Sequence, residues 1–160
     1  MKLEIIPGFS YPQQIRQLLS EYTDYIIQGD PEFRDYLSLQ NFEEELAHLE
    51  HKYGPPSGRL YLARCNGEPA GCIALRQLDE TSCEMKRLYV RPQFQGQHIG
   101  RKLTDKVIRE AKEIGYSQLL LDTFPFLDKA IGMYNRRGFQ LIPRYNDSPM
   151  ESTIYMKLDL

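Results

Sequence analysis

The sequence predicts an α/β fold in which helices cover a mixed β-sheet, an arrangement of the α+β kind. Two patterns carry this prediction. Two strand-like stretches flank the dipeptide Asn66-Gly67, which is typical of a tight hairpin turn. Further along, residues 83–123 follow the order strand, loop, amphipathic helix and apolar strand. This order predicts two parallel strands joined by a right-handed crossover.

The N-terminal third of the chain is predicted to contain one short strand and two helices. The strand covers residues 2–6, and apolar residues recur at helical spacing over 11–28, with Pro12 in the first turn. The segment GDPEF then interrupts the helical pattern. A second helix follows Asn41, which we expect to cap it, and ends at the proline- and glycine-rich segment 53–58.

The rest of the chain is predicted to form six strands and two helices. We place the strands at 59–65, 68–78, 83–90, 117–123, 139–145 and 152–160, and the helices at 99–114 and 128–137. Gly115 and Gly138 are expected to end these helices. The predicted order is β-α-α-β-β-β-α-β-α-β-β. The length suits one domain, residues 1–160.

The composition limits the class of protein. With 41% hydrophobic and 26% charged residues, the chain is typical of globular proteins. No apolar run approaches the roughly 18 residues of a membrane span, and the N-terminus does not resemble a signal peptide. We therefore expect a cytoplasmic protein without membrane contact. The three cysteines, Cys65, Cys72 and Cys83, are expected to be reduced, with a redox role as the minor alternative.

Charge is distributed unevenly along the chain, although the net charge is only −2. Residues 1–50 contain three basic and ten acidic residues, whereas residues 84–112 contain eight basic and three acidic residues. This asymmetry suits a polyanionic ligand on one side and a cationic substrate on the other. Two solvated faces would give the same pattern. Because the basic surplus is local, we do not expect nucleic-acid binding.

The segment QFQGQHIGRKL, residues 93–103, lies where a predicted strand gives way to a helix. The N-terminus of a helix exposes unpaired N–H groups that bind anions. Gly96 and Gly100 would let a ligand approach the main chain, and Arg101 and Lys102 add positive charge. Neither the Walker pattern nor GxGxxG is present. The residues alone therefore leave two interpretations open, an anion site or an ordinary turn.

Two segments of the chain resemble motifs of a known family. The run EMKRLYVRPQFQGQHIGRKL (84–103) resembles the acetyl-CoA-binding segment of the GNAT family of N-acetyltransferases. The run AIGMYNRRGFQLI (130–142) resembles that family's later Ala-x-x-x-Tyr-x-x-x-Gly-Phe segment. The predicted order of elements is also similar to the family's fold. The chain is therefore identified as a GNAT member, and it especially resembles bacterial members whose substrates are mostly unassigned.

The resemblance implies an acyl-CoA N-acyltransferase fold with two central parallel strands that splay apart. It implies acetyl-CoA as co-substrate and no metal. The residues implied to bind the cofactor are Leu88, Tyr89, Val90, Gln95, Gly96, Gln97, His98, Ile99, Gly100, Arg101 and Lys102. His98 stands where the family usually has glycine, and its imidazole could face the phosphates or the solvent. Leu127 stands where many members have asparagine, and no role is transferred to it.

The resemblance also implies two candidates for proton transfer. Tyr134 occupies the family's tyrosine position, and a phenol can protonate the departing thiolate. The alternative is a tyrosine that only packs on a short helix. Glu84 lies where many members place a carboxylate that takes the amine proton. It could instead pair with Lys86, two residues further along the same face of the strand.

The implied reaction moves acetyl from acetyl-CoA to the primary amine of a small molecule by direct attack. A protein or peptide acceptor and a non-catalytic acyl-CoA-binding sensor are the alternatives. The acidic segment 21–50 favours a cationic acceptor. The C-terminal strand could pair across two copies in a homodimer. His48 and His51 would need a further ligand to hold a metal, so we expect them to lie on a solvated helix face.

Overall fold

A seven-stranded mixed β-sheet runs through the computed structural model, which describes residues 2–160. The strands are β1 (Leu3–Pro7), β2 (Arg59–Cys65), β3 (Glu68–Gln77), β4 (Ser82–Val90), β5 (Gln118–Thr123), β6 (Gln140–Ile142) and β7 (Ile154–Asp159). They lie in the order β1-β2-β3-β4-β5-β7-β6. Strands β4 and β5 run parallel, and the other neighbouring pairs are antiparallel. The predicted fold class and its seven strands are confirmed.

The described residues also form six helices, which cover both faces of the sheet. They are α1 (Pro12–Gly29), α2 (Phe33–Leu39), α3 (Phe42–Ala47), α4 (Leu49–Tyr53), α5 (Ile99–Ile114) and α6 (Asp128–Arg136). Helix α5 shares one core with the sheet, and α1 and α4 share another on the opposite face. We call the helices α1–α4 the lid helices.

Helix α5 illustrates how the apolar pattern forms the core. Its buried face carries Ile99, Leu103, Val107 and Ala111, spaced at three or four residues as a helix requires. Full burial of an aliphatic side chain stabilises the fold by about 1.5–3 kcal/mol. The helix ends at Gly115, whose φ of 110° lies in the left-handed region that glycine adopts readily. These features were predicted from the sequence and are confirmed.

The lid helices differ from the prediction. Residues 33–39 were assigned to no helix or strand but form α2, with Phe33, Tyr36 and Leu37 buried. Seven residues span only two turns, too few for a helical period to stand out in the sequence. The chain therefore has four helices, not two, between β1 and β2.

The second predicted helix is interrupted and is not capped as expected. It is divided at His48, where φ is −137°, into α3 and α4. Asn41 has a φ of 54°, and its side chain makes no capping hydrogen bond. A capping side chain requires an extended backbone at the cap residue, so the left-handed conformation of Asn41 removes that geometry.

The last two strands are shorter than the predicted ranges 139–145 and 152–160. The loop 143–153 that joins them folds on itself, because Arg144 donates hydrogen bonds to the backbone carbonyls of Asn146 and Ser148. The polar composition of this loop favours such local bonds over sheet pairing. The loop consequently projects over the same face of the sheet as the lid helices, where Tyr145 contacts Glu84 of β4.

The predicted hairpin turn is confirmed in detail. Asn66 and Gly67 have φ values of 51° and 84°, as a two-residue hairpin turn requires. The three cysteines are buried, and none takes part in a disulfide. Over residues 2–160, no helix combines the length and apolar character needed to cross a membrane.

Strands β4 and β5 are paired over a short distance and then separate. Residues 82–84 pair with residues 118–120. Beyond this point β4 continues to Val90 and β5 to Thr123 without pairing to each other. The implied splayed parallel strands are therefore confirmed. The separation leaves main-chain N–H and C=O groups that face a gap and require other partners.

A bulge in β4 changes which side chains face the lid helices. Strand β3 pairs Cys72 with Tyr89 and Ala74 with Lys86, so two residues of β4 oppose one of β3. Arg87 lies in this bulge with a φ of 60°. The extra residue interrupts the alternation of side chains along the strand. Lys86 and Arg87 consequently both lie on the lid side, although they are consecutive.

Candidate active site

The loop between β4 and α5 presents free backbone donors beside the gap. Within the described part of the chain, no oxygen accepts a hydrogen bond from the N–H groups of Gly96 through Arg101. Gly96 has a φ of 85°, and a Cβ placed there would meet no atom within 4 Å. Helix α5 has no acidic residue in its first turn. An acidic side chain there would have competed with an anionic ligand for these donors.

His98 occupies the residue just before α5, with a φ of 62°. Glycine adopts this left-handed conformation freely, whereas for an L-residue it costs roughly 1–2 kcal/mol. This accounts for the glycine that the family usually places here. The imidazole is exposed, as are Arg101 and Lys102. The side-chain amide of Gln95 donates to the Val90 carbonyl at 3.2 Å and ties the loop to the end of β4.

The end of β4 joins both cores of the molecule. Leu88 and Val90 pack toward α5, whereas Tyr89 packs toward α1. The Tyr89 hydroxyl donates to Glu21 of α1 at 3.4 Å, and Arg91 donates to both oxygens of that carboxylate at 3.0 and 2.8 Å. Burial, with the Glu21 charge, raises the pKa of Tyr89 to about 12. These contacts hold the unpaired edge of the strand against the lid helices.

Tyr134 lies in α6 and is buried in the core that α5 shares with the sheet. Its ring packs against Phe139 at 5.6 Å between centroids. Its hydroxyl has no hydrogen-bond partner among residues 2–160. Burial, with the charges of Tyr22 and Asp122, raises the pKa of Tyr134 well above its ordinary value. The phenol is therefore protonated at neutral pH.

A cleft of about 780 Å³ opens on the lid side of the sheet. Its walls come from α2, α3, α4 and the loop 143–153, and its floor comes from the ends of β3 and β4. Glu84, the last residue of β4 that pairs with β5, lies on this floor. The cleft therefore meets the gap where the two strands begin to separate.

The Glu84 carboxylate is buried and surrounded by donors. Its Oε1 accepts from Nε of Arg76 at 2.8 Å and lies 3.7 Å from Nζ of Lys86. Its Oε2 accepts from the Tyr145 hydroxyl at 2.5 Å. Burial acts to raise the pKa of Glu84, but the charges of Lys86 and Arg76 outweigh it and hold the pKa below its usual value. Glu84 is therefore ionised, and the expected contact with Lys86 is present.

A second buried ion pair connects the bulge of β4 to α3. Nε and a terminal nitrogen of Arg87 donate to the two oxygens of Glu45 at 2.9 and 3.0 Å. Lys52 of α4 donates to the same carboxylate at 2.8 Å, and Arg87 also donates to Gln40. Burial acts to raise the pKa of Glu45, but Arg87 and Lys52 hold it at about 2.

A third polar group holds α2 and the loop 143–153 to the end of β5. Oδ2 of Asp122 accepts from the Tyr36 hydroxyl at 3.0 Å and from the Asn146 amide at 2.9 Å. The Tyr155 hydroxyl donates to Asn146 at 2.8 Å. Sequence reasoning missed these contacts because the residues belong to four separate elements, and no short motif joins them. The position of Asp122 at a strand end was the only available signal.

A small exposed group lies at the rim of the cleft. Donor atoms of His48, Glu50 and His51 lie within 4.8 Å of one another, close enough to ligate a metal ion. All three side chains are exposed, and the imidazole rings stack at 4.7 Å. Exposed groups of this kind also occur without a metal, so the expected absence of one stays a prediction.

Comparison with known proteins decides the family. The sequence profile described as the acetyltransferase (GNAT) family matches residues 13–139. The chain belongs to the GNAT family. An uncharacterized N-acetyltransferase of Schizosaccharomyces pombe is 35% identical over 160 residues, which cover 97% of this chain and 94% of that protein. An uncharacterized N-acetyltransferase of Dictyostelium discoideum is 28% identical over the whole length of both proteins.

Solved structures of GNAT-type acetyltransferases share this fold. An acetyltransferase of Streptococcus agalactiae superposes with a TM-score of 0.80 at 20% identity, covering 99% of this chain and 98% of its own. The PaiA N-acetyltransferase of Thermoplasma acidophilum, solved in complex with coenzyme A, superposes with a TM-score of 0.74 at 17% identity over both whole chains. Membership of the family confirms the predicted enzyme class, an acetyl-CoA-dependent N-acetyltransferase.

Proposed function

We propose that this GNAT enzyme transfers the acetyl group of acetyl-CoA to the primary amine of a small molecule by direct attack. The observation that carries the proposal is the gap between β4 and β5. On one side of the gap lies the loop with free N–H groups, and on the other lies the cleft over Glu84. A long, bipartite donor can therefore be anchored at the loop while its reactive end meets an acceptor in the cleft.

The residues of the donor side fit coenzyme A. The free N–H groups of residues 96–101, together with the Arg101 and Lys102 side chains, would hold the pyrophosphate. The main chain of Leu88, Tyr89 and Val90, which does not pair with β5, would pair on that edge with the amides of the pantetheine arm, as an added strand does. When bound, acetyl-CoA supplies an activated thioester.

The proposed proton transfers use the two candidate residues. The neutral amine forms a C–N bond to the thioester carbon as the C–S bond breaks. Tyr134 donates its proton to the departing sulfur, and a main-chain N–H near Val90 polarises the carbonyl. Glu84 takes the amine proton through water, since donors already occupy both of its oxygens. Solvent then returns a proton to Tyr134 and removes the proton that Glu84 has taken.

The form of the cleft supports a small acceptor. A volume of about 780 Å³ lies within the roughly 300–1,000 Å³ that is typical of small-molecule sites. The lid helices and the loop 143–153 enclose the cleft on several sides, which leaves less room for a folded protein.

The continuous sheet from Leu3 to Asp159 supports one catalytic domain, residues 1–160. We place its activity in the cytoplasm, and a homodimer stays a prediction.

An assay of thiol release with acetyl-CoA across a panel of small amines and lysine-containing peptides tests the proposal. We expect turnover with at least one class of small primary amine. Turnover with peptides alone would replace the small acceptor by a protein acceptor. Tight binding of acetyl-CoA without turnover on any amine or peptide would show a sensor rather than an enzyme.

A further inference from the structure

Lys86 is a buried cation without a hydrogen-bond partner. Its side chain is 6% exposed and lines the floor of the cleft. Its ionic contact, to Oε1 of Glu84, is 3.7 Å long, beyond hydrogen-bond distance. No other oxygen in the described part of the chain accepts from its ammonium. Nζ of Lys86 is not among the fully buried side-chain atoms that lack a partner, so the ammonium is accessible from the cleft and can donate to an anion bound there.

Arg76 offers further free donors beside Lys86. Its Nε donates to the same oxygen of Glu84 that Lys86 faces. Neither terminal nitrogen of its guanidinium donates to an oxygen of residues 2–160. A guanidinium edge and an ammonium that share one neighbouring oxygen lie close enough to bind one further anion together. A planar carboxylate matches this pair of donors.

The balance of charge below the lid also favours an anion. On the cleft floor, Arg76 and Lys86 face a single carboxylate, that of Glu84. Lys52 and Arg87 share Glu45, and Arg87 does not line the cleft. One positive charge thus remains in excess on the floor. Glu44 and Asp147 also line the cleft, but they are exposed at its rim, where solvent and salt screen them.

The acidic segment 21–50, which suggested a cationic acceptor, does not change this balance. Its buried carboxylate, Glu45, is already bound by Arg87 and Lys52, and Glu21 is bound by Arg91. The exposed acids of this segment are Asp24, Glu32, Asp35, Glu43, Glu44 and Glu50. Most of the acidic side chains of the segment 21–50 therefore face solvent, whereas the floor of the cleft carries an excess of positive charge.

We propose that Lys86 and Arg76 bind a carboxylate of the acceptor, which is therefore an amino-acid-like amine. This inference rests on the proposed function and names its substrate class. Lys86 follows Glu84 by two residues on the same face of β4, just beyond the last residue paired with β5. A carboxylate held there places an amine on the neighbouring carbon near the mouth of the gap.

Acetylation rates of matched acceptors test the proposal. Each common L-amino acid is compared with its primary carboxamide, which has the same amine but no carboxylate charge. A charge-assisted hydrogen bond contributes about 1.5–3 kcal/mol, so we expect kcat/KM to favour the acid by roughly 10- to 100-fold. In Lys86→Met this preference should disappear, chiefly through a higher KM for the acids. Lys86→Arg should restore most of it.

Lys106→Met is the matched control. Lys106 also makes a 3.7 Å ion pair, to Glu110, but it lies on α5 across the sheet from the cleft. This variant should keep the preference for the acid. Calorimetric binding of coenzyme A to every variant shows that the fold and the donor site are intact.

Two outcomes would overturn the proposal. One is wild-type protein that acetylates carboxamides as well as acids. The other is a Lys86→Met variant that loses both kinds of acceptor equally. If the wild-type protein acetylates no amine at all, the proposed function fails. In that case, calorimetric titration of the amino acids into the coenzyme A complex still tests the carboxylate site of Lys86 and Arg76. Absent binding, or binding that Lys86→Met does not weaken, would refute that site.

Discussion

Tyr134 shows how one side chain can serve both packing and chemistry. Its ring belongs to the apolar core under α5, yet its hydroxyl has no partner within residues 2–160. The hydroxyl is not among the fully buried side-chain atoms that lack a partner, so a ligand in the site can reach it. The thiol sulfur of coenzyme A would be an acceptor for it.

Replacing Tyr134 by phenylalanine should therefore lower kcat by roughly 10²- to 10⁴-fold, the usual contribution of a general acid. Binding of coenzyme A should change little, because the ring still packs. Steady-state kinetics and calorimetry measure the two effects. In the control Tyr116→Phe, which removes a hydroxyl bonded to the Ser57 carbonyl, stability should fall slightly while kcat is kept. Equal kcat in Tyr134→Phe and wild-type protein would remove Tyr134 from the mechanism.

At the scale of elements, the pair Arg87–Glu45 joins the bulge of β4 to α3. Both side chains are almost fully buried, so removing one partner would leave the other uncompensated. Helices α3 and α4 are short, with six and five residues, and α4 also packs Leu49 and Tyr53 into the core. The ion pair adds a polar connection between the cleft wall and the cleft floor to this apolar packing.

This pair should make stability depend on pH. The pKa of Glu45 in the folded protein, about 2, lies below its ordinary value of 4.5. The pair therefore stabilises the fold fully above pH 4.5, and this stabilisation, on the order of 3 kcal/mol, is lost as pH falls toward 2. Urea unfolding at a series of pH values measures it. We expect Glu45→Gln to be less stable at pH 7 and to lose this part of the slope.

The matched control is Glu4→Gln, which removes the partly exposed pair with Arg64. Solvent screens that pair, so the variant should unfold much as the wild-type protein does. A Glu45→Gln variant with the stability and pH slope of the wild-type protein would show that the buried pair does not hold α3 in place.

The elements also show where sequence reasoning succeeds and where it fails. The loop 93–103 and Tyr134 could be located because each lies within one contiguous motif. The contact between Glu84 and Lys86 follows from the two-residue period of a strand. Arg76 and Tyr145 reach Glu84 from other elements, and only tertiary packing brings them there. Helix α2 was missed because it is short, and Tyr36 was missed with it.

At the scale of the whole molecule, the gap leaves the two central strands, β4 and β5, unpaired with each other beyond three residues. Strand β5 pairs with β7 along its whole length but with β4 over three residues. The two halves of the sheet are thus joined mainly at one end, under the lid helices. A ligand in the gap would complete the sheet and stabilise both halves together.

Coenzyme A should therefore raise the thermal stability and protect the gap from hydrogen exchange. At 100 times its Kd, a ligand stabilises the folded state by about 2.7 kcal/mol, which corresponds to a Tm increase of roughly 5–11 °C at this size. Amides of residues 85–90 and 121–123 that face the gap should exchange more slowly. ADP, the control, should raise Tm without that protection. A Tm increase by coenzyme A without slower exchange would place its arm elsewhere.

The bulge in β4 has a further consequence for how the chain tolerates change. After the extra residue, Tyr89 faces the lid helices, and Leu88 and Val90 face α5. Inserting or deleting one residue between 86 and 88 would move every later side chain of β4 to the opposite face of the sheet. The phenol of Tyr89 would then enter an apolar core. Changes of chain length should therefore not be tolerated in this short segment.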